Sequence, residues 1–446
     1  MLTADTALRP KTSSEALTEY LFIDASENRF EINQRAYNDP AAFEKERELI
    51  FHKCWLYLGH QSEIPNNKDF VTRHVGGYNL IFNRDKQGKV HAFYNYCSHR
   101  GPRLAVEERG NKNVFSCPYH GWVYGSDGEL RSTGSTGGYC DTINKDGRFN
   151  LRKVPRLDHY RGLYFVNYNT NAVDLETYLA DTKEILDLMV DQFEEGLEVL
   201  QGEQLMFNGG NWKLVTDNFV DTYHAPILHS SYFEYSIRRT GGIDVSGAMT
   251  AGLGAGLGNG HCYWENPLAL GRPVAGWIPA FGEDSKPLIE AKRAELLEQF
   301  GEERGARIAD VNRNMVVFPN LVVTDNVSLS LRTVYPDTVD TLRMNIWTLG
   351  GVGEPEQIRD VRVRSHLSFV GPAGFAHPDD FELFDRIKAG YYTTPDKWLD
   401  FSKGMATEEV PAGDRTRSSG AWLDESQERA WWSQWDRILG GAETLE

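Results

Sequence analysis

Cysteine is scarce in this chain: five in 446 residues, at Cys54, Cys97, Cys117, Cys140 and Cys262. An odd, widely spaced set builds no disulfide framework, so a reducing compartment is expected and some thiols are free for metal chemistry. Long apolar runs are missing too. None approaches the roughly 20 residues that cross a bilayer, and residues 1–20 lack the basic start and apolar stretch of a secretory signal. The expected location is the cytoplasm, away from membranes. Positive charge is in deficit, with 47 Lys plus Arg against 64 Asp plus Glu and a net charge of -17. Such a field repels nucleic acid and anionic lipid. No basic arm, repeat, low-complexity tract or Walker-type loop is found. The glycine-rich stretch 252–260 lacks the Gly-x-Gly-x-x-Gly spacing of a dinucleotide site, and reads as a flexible loop.

What is present is ordinary globular sequence, long enough for two domains. Asn38, Asp39 and Pro40 form a helix start, a capping side chain followed by Pro in the first turn. Residues 41–53 continue as an amphipathic helix carrying Phe43, Leu49 and Ile50. From residue 55 to about 168 the texture changes to short β-rich runs, at 70–75, 79–83, 90–96, 121–124 and 162–167. Gly76-Gly77, Lys86-Gln87-Gly88 and Ser126-Asp127-Gly128 supply turns between them. Helical periodicity returns at 175–189, 212–223, 287–299, 358–369 and 378–389. Strands are expected at 321–335 and 341–349, joined by a turn at Pro336-Asp337. Residues 403–419 read as a mobile or partner-contacting loop. The expected class is α+β: an N-terminal segment at 1–54 packing on the larger domain, a small antiparallel β domain at 55–170, and a larger domain at 171–446 with an antiparallel sheet and covering helices.

The small β domain holds the first chemical signal. Cys97-Ser98-His99 is followed, seventeen residues on, by Cys117-Pro118-Tyr119-His120. Two loops brought tip to tip would offer two thiolates and two imidazoles. That set suits a [2Fe–2S] centre with two cysteines on one iron and two histidines on the other. The rival is a structural zinc site, but zinc modules pair like ligands, Cys with Cys and His with His; here each pair is mixed. Gly101, Pro118 and Gly121 suit tight loops around such a centre. Cys54, Cys140 and Cys262 read as buried small apolar residues.

The second signal is the run from Asp217 to His229. Asp221 and His224 are three apart and share a helix face. His224 and His229 are five apart, diverging by roughly 140° on a straight helix. Pro226 between them can break or bulge the helix and bring both imidazoles to one point. On spacing alone, two metal ligands and two ordinary histidines near a helix end are equally good readings.

Cys97-Ser98-His99-Arg100-Gly101 with Cys117-Pro118-Tyr119-His120-Gly121-Trp122 resembles the Rieske domain of ring-hydroxylating oxygenase α subunits. Asp-x2-His-x4-His at 221–229 and Gly371-Pro372-Ala373-Gly374 ahead of Asp379-Asp380 resemble the same family. The resemblance implies a helix-grip catalytic domain, a Rieske cluster on Cys97, His99, Cys117 and His120, and a mononuclear Fe(II) on His224, His229 and Asp380. Asp379 is the fallback ligand, the alternative use of this acid pair being to complement a helix dipole. Two histidines and one carboxylate form the facial triad of non-haem iron oxygenases. Asp221 is implied as an electron bridge between subunits, with Asp217 in support, and Asn218, Ala225, Leu228, Phe233, Val370 and Ala376 as pocket residues. Small side chains at Val370 and Ala376 would admit a larger or substituted ring. Arg238 and Arg239 read as a solvated pair rather than an anchor.

The function implied is that of a terminal oxygenase. It would take O2 and electrons from NAD(P)H, delivered by a separate reductase directly or through a ferredoxin, and cis-dihydroxylate an aromatic ring. Some members monohydroxylate or demethylate instead. The assembly implied is an α homotrimer, alone or as α3β3 with a small β subunit. An electron carrier or zinc-stabilised binding protein is the rival from another class. It would have no use for His224, His229 and Asp380.

Overall fold

The computed structural model describes residues 18–134, 138–140, 142–200, 202–242, 251–267, 270–394 and 396–441. The small β domain is antiparallel throughout. Strands Val90–Tyr94, Tyr78–Arg84, Asp69–Val75 and Arg109–Asn111 form one sheet in that order. Gly76 and Gly77 both have positive φ, at 58° and 90°, as a tight hairpin turn demands. Strands Val114–Ser116, Val123–Gly125 and Leu130–Ser132 form a second sheet, and Leu56–His60, Leu163–Asn167 and Arg156–Tyr160 a third. The domain does not have one core of its own. Phe70, Ile81, Phe93, Phe115, Trp122 and Tyr124 cluster around Cys97 and Cys117. Leu56, Tyr57, Val71, Phe82 and Phe165 instead join the core of the larger domain, so the two share a packed boundary.

The larger domain is built on a nine-stranded antiparallel sheet running, in spatial order, from Leu197–Val199 through Thr341–Gly351, Leu329–Thr338, Leu321–Asp325, Asn312–Val317, Cys262–Asn266 and Leu253–Leu257 to Arg417–Ala421. Gln204–Gly209 pairs with Thr341–Gly351 off this path. The C-terminal helix Ser426–Leu439 lies in the grip of the sheet, with Trp431, Trp432 and Trp435 fully buried. This is the α+β helix-grip architecture expected. Among the described residues, no helix is long and apolar enough to cross a membrane.

Several local expectations fail for identifiable reasons. The glycine-rich stretch is not a flexible loop; Leu253–Leu257 is a strand of the main sheet. Its glycines serve close approach: a Cβ on Gly256 would lie 2.5 Å from Ala430 Cβ, and one on Gly254 would run into the Gln427 amide. Residues 403–419 are tied down: Glu408 pairs with the buried Arg429, and Arg417–Ala421 closes the sheet. The expected helix at 175–189 is two, Leu175–Leu179 and Thr182–Val190, broken at Ala180 with φ 47°. The run 321–335 is two strands, and Pro336 continues the second of them, with a bulge between Pro336 and Thr338, so the reversal comes later. Cys54 and Cys262 are buried as expected, but Cys140 is exposed.

At the N-terminus Asp39 caps as the sequence suggests, accepting from the Ala41 N–H at 2.8 Å. The helix Pro40–Lys45 then widens into a π-helical turn, Glu46–Phe51. The strand Arg29–Asn33 pairs with Trp398–Asp400. Glu46 is wholly buried and accepts from Lys213 Nζ at 2.5 Å, Trp212 Nε1 at 2.8 Å and Trp435 Nε1 at 2.8 Å. Removing one partner of a buried ion pair strands the other, at a cost of about 3–5 kcal/mol. Glu46→Ala should lower unfolding free energy by that amount in urea titration; Glu46→Gln should lose less, because it keeps an acceptor for the indoles.

Candidate functional site

The two Cys–His loops meet at the tip of the small domain. Cys97 N–H donates to the Pro102 carbonyl and Cys117 N–H to the Trp122 carbonyl, at 2.9 and 2.7 Å, so each loop closes on itself. Gly101 and Gly121 sit at positive φ, 87° and 69°, in those tight turns. The His99 and His120 rings stand 4.7 Å apart, and His99 stacks on Trp122 at 4.7 Å with 4° between planes. Both thiols are free and buried. The Nδ1 atoms of His99 and His120 are buried without a hydrogen-bond partner. Two buried thiols and two orphaned imidazole nitrogens, on loops whose histidine rings stand 4.7 Å apart, are the donor set a Rieske cluster needs. The Tyr124 hydroxyl lies 3.1 Å from Cys97 Sγ and accepts from the Ser98 N–H, a contact that tunes a bound cluster.

The second centre begins on the helix Trp212–Val220, capped by Asn211, whose side chain accepts from the Lys213 N–H. This helix ends earlier than expected, because Asp221 is extended (φ -68°, ψ 121°). The turn that follows is pinned from the far end of the chain. Gln427 Nε2 donates to the Val220 carbonyl at 2.9 Å, Thr222 Oγ1 donates to the Trp422 carbonyl, and Tyr223 donates to Glu425 at 2.6 Å. Pro226 is not itself the break. It sits in the first turn of a short helix, Ala225–Leu228, where its missing N–H is not needed. His229 leaves helical geometry before the next helix, Ser230–Arg239. The chain thus breaks on both sides of the Pro226 turn, and the His224 and His229 rings come to 5.3 Å.

Asp380 arrives on the helix His377–Tyr391, behind the Gly-Pro-Ala-Gly turn. A Cβ at Gly374 would lie 2.7 Å from the Phe369 carbonyl, so that turn tolerates only glycine. Asp380 Oδ1 is 3.1 Å from His229 Nε2 and 4.0 Å from His224 Nε2. One donor atom from each of the three lies within 4.8 Å of the others. Asn218 Nδ2 donates to Asp380 Oδ1 at 3.0 Å. Asp379 does not join the three; its Oδ2 is 3.3 Å from His229 Nδ1, the opposite ring nitrogen. Burial opposes charge on His229, but Asp380 and Asp379 outweigh it and raise its pKa. An electropositive ion would take the place of that proton. Two imidazoles and a carboxylate on one side fit a non-haem iron with positions left open.

A cavity of about 130 Å³ opens on these three residues. Of the residues expected to line it, Asn218, Ala225, Phe233, Val370 and Ala376 do so, and Leu228 does not. Sequence reasoning missed Trp264, Asn314, Asn326 and Trp422. They arrive from strands and turns far along the chain and carry no local signal. His377, also on the wall, lay inside the recognised turn.

The comparisons agree with this geometry. Residues 54–142 match the Rieske [2Fe-2S] domain, and residues 200–396 the ring hydroxylating alpha subunit (catalytic domain). The anthranilate 1,2-dioxygenase large subunit of Acinetobacter baylyi is 35% identical over 394 residues, covering 84% of this chain and 80% of its own. The 2-halobenzoate 1,2-dioxygenase large subunit of Burkholderia cepacia is 31% identical over 399 residues, covering 89% and 84%. The solved structure of naphthalene 1,2-dioxygenase with indole in its active site superposes with a TM-score of 0.80, at 26% identity and 93% coverage of each chain. The chain belongs to the ring-hydroxylating dioxygenase α subunits. This α subunit is the terminal oxygenase of aromatic-ring hydroxylation, carrying a Rieske cluster and a mononuclear iron.

Asp217 does not line the cavity and is half-buried. It accepts from Tyr37 at 2.6 Å and from Trp432 Nε1 at 2.9 Å. Burial lifts its pKa to about 7, against the pull of those two donors and of Lys213. The raised value means the folded chain binds a proton that the unfolded chain releases. The contribution of this group to stability is therefore full below about pH 4 and is lost as pH rises through about 7. Asp217→Asn should flatten the fall in unfolding free energy between pH 5 and 7, read by urea titration at a series of pH values, with about the same fold.

Proposed function

We propose that this α subunit cis-dihydroxylates a ring-bearing aromatic acid, with Cys97, His99, Cys117 and His120 holding the cluster and His224, His229 and Asp380 holding the mononuclear iron. The observation that carries the reading is the convergence of three ligand atoms within 4.8 Å at the mouth of a mostly apolar cavity. Two relatives more than 30% identical act, by name, on ring acids, anthranilate and 2-halobenzoate. The iron, when bound, activates dioxygen with electrons relayed from the cluster.

The residues of the chain do the rest. Asn218 fixes the Asp380 carboxylate through its 3.0 Å bond, leaving one face of the triad clear for substrate and O2. Asp379 orients His229 from the opposite ring nitrogen, and this sets which nitrogen is offered. Phe219, Phe233, Trp264, Val370 and Ala376 give the ring an apolar seat and exclude water. Asp221 is the bridging acid. Its Oδ1 accepts from the His224 N–H at 3.1 Å and lies 3.5 Å from His224 Nδ1. The side chain stays partly exposed, so its other oxygen is available to His120 of the partner subunit in a trimer, with or without small β subunits. Electrons enter from a separate reductase or ferredoxin at the half-exposed histidine tip of the small domain.

Three measurements check the proposal. Anaerobically reconstituted protein should hold about three irons per chain, with two labile sulfides. With a compatible reductase, NADH, 18O2 and benzoate, the product should be a cis-diol carrying label in both hydroxyls; a singly labelled product means monohydroxylation instead. Asp221→Ala should keep metal content and the reduced-cluster EPR signal while turnover falls about 10–100-fold. Near-normal turnover in that variant would remove the bridge.

A further inference from the structure

Two buried polar side chains near Asp380 have no hydrogen-bond partner among the described residues. His377 is 2% exposed, lines the cavity and stands one helical turn before Asp380. Neither of its ring nitrogens makes a hydrogen bond; the Val370 carbonyl pulls weakly on the ring from outside bonding geometry. Arg332 is 0% exposed, and none of its three guanidinium nitrogens is bonded. Its guanidinium lies 4.3 Å from the centre of the Phe219 ring, and Phe219 is a cavity wall. Burial pushes its pKa down to about 9, with Asp380 pulling the other way, so it remains a cation at neutral pH. Burial first, and Arg332 next, hold His377 well below its ordinary value, so the imidazole is neutral and carries one N–H. Buried polar groups in native chains are rarely left without partners, and a buried cation calls for an anion.

The chemistry of a ring acid says where that anion would lie. Dioxygenation across the carbon that bears the carboxylate and its neighbour puts the carboxylate beside the reacting bond, and so beside the iron ligands. The Asn314 and Asn326 amides on the cavity wall bond to each other at 3.1 Å and bring no charge to it. We infer that His377 is the specificity-determining residue that donates its N–H to the substrate carboxylate, and that Arg332, behind Phe219, is the positioning charge that favours an anionic ring over a neutral one. The inference rests on the dioxygenase reading above and adds the group that selects its substrate.

Equilibrium dialysis of the iron-loaded, resting holoenzyme with benzoate, benzamide and indole tests it. Wild type should bind benzoate at least about tenfold more tightly than benzamide, since hydrogen bonds to charged groups exceed those to neutral ones. His377→Leu should lose about 10–100-fold in benzoate affinity, with indole affinity and iron content unchanged. Arg332→Met should erase the benzoate-over-benzamide preference, and Arg332→Lys should restore part of it; a merely structural arginine would move all three ligands together. Equal losses for benzoate and indole in His377→Leu would overturn the assignment. So would a wild type that oxidises indole yet binds no benzoate, and in that outcome the dioxygenase reading stands. A fully metallated enzyme that oxidises neither ring would instead bring down the reading itself. Should the arginine variants fail to fold, the wild-type ligand series and His377→Leu still decide the matter.

Discussion

Donors from two distant parts of the chain end on the buried carboxylate of Glu46, which stands in a third. Lys213 and Trp212 come from the helix that leads into Asp221 and His224, Trp435 comes from the C-terminal helix, and Glu46 itself stands on a π-helical turn near the N-terminus. An isolated charge at such depth costs several kcal/mol, so neither Glu46 nor Lys213 can leave without the other. The pair holds the ligand-bearing helix against the sheet-gripped helix. The latter then pins the 221–223 turn through Trp422, Glu425 and Gln427. The position of His224 is set by contacts nearly two hundred residues away from it on either side.

Charge near the metal centre follows the same logic. Asp217, Glu425 and Glu428 all have pKa values raised, burial being the largest cause in each. Most of the exposed cavity wall is aromatic or aliphatic surface, so each polar contact there counts strongly. The partly exposed carboxylate of Asp221 accepts from the His224 N–H at 3.1 Å and lies 3.5 Å from its Nδ1.

Cys97, His99, Cys117 and His120 were legible as a set from residue type and spacing together, whereas Asp221, His224, His229 and Asp380 were legible as one only through the resemblance to a family motif. The strands of the small domain were legible too, since Gly76, Gly77, Gly88 and Gly128 mark their turns at positive φ. What failed was whatever depends on packing from afar. Glycine at 254 and 256 looks like a loop until the C-terminal helix lies on it. Asp217, expected in support of Asp221, has its carboxylate taken up by Tyr37 and Trp432, which no local spacing signals. Asn314 and Trp264 reach the cavity by strand register, which only the folded sheet sets, and Asn326 reaches it from the turn after Leu321–Asp325. Leu228 follows the motif in sequence but lies off the cavity because the short helix at Ala225–Leu228 turns on its own axis.

The most direct measurement is an anomalous-difference map collected at the iron absorption edge from crystals of the reconstituted α subunit. The account predicts one isolated peak within bonding distance of His224, His229 and Asp380, and a separate pair of irons between the Cys97–His99 and Cys117–His120 loops. A lone peak bonded through Asp379, or no peak at the 224–229–380 site in an active sample, would contradict it.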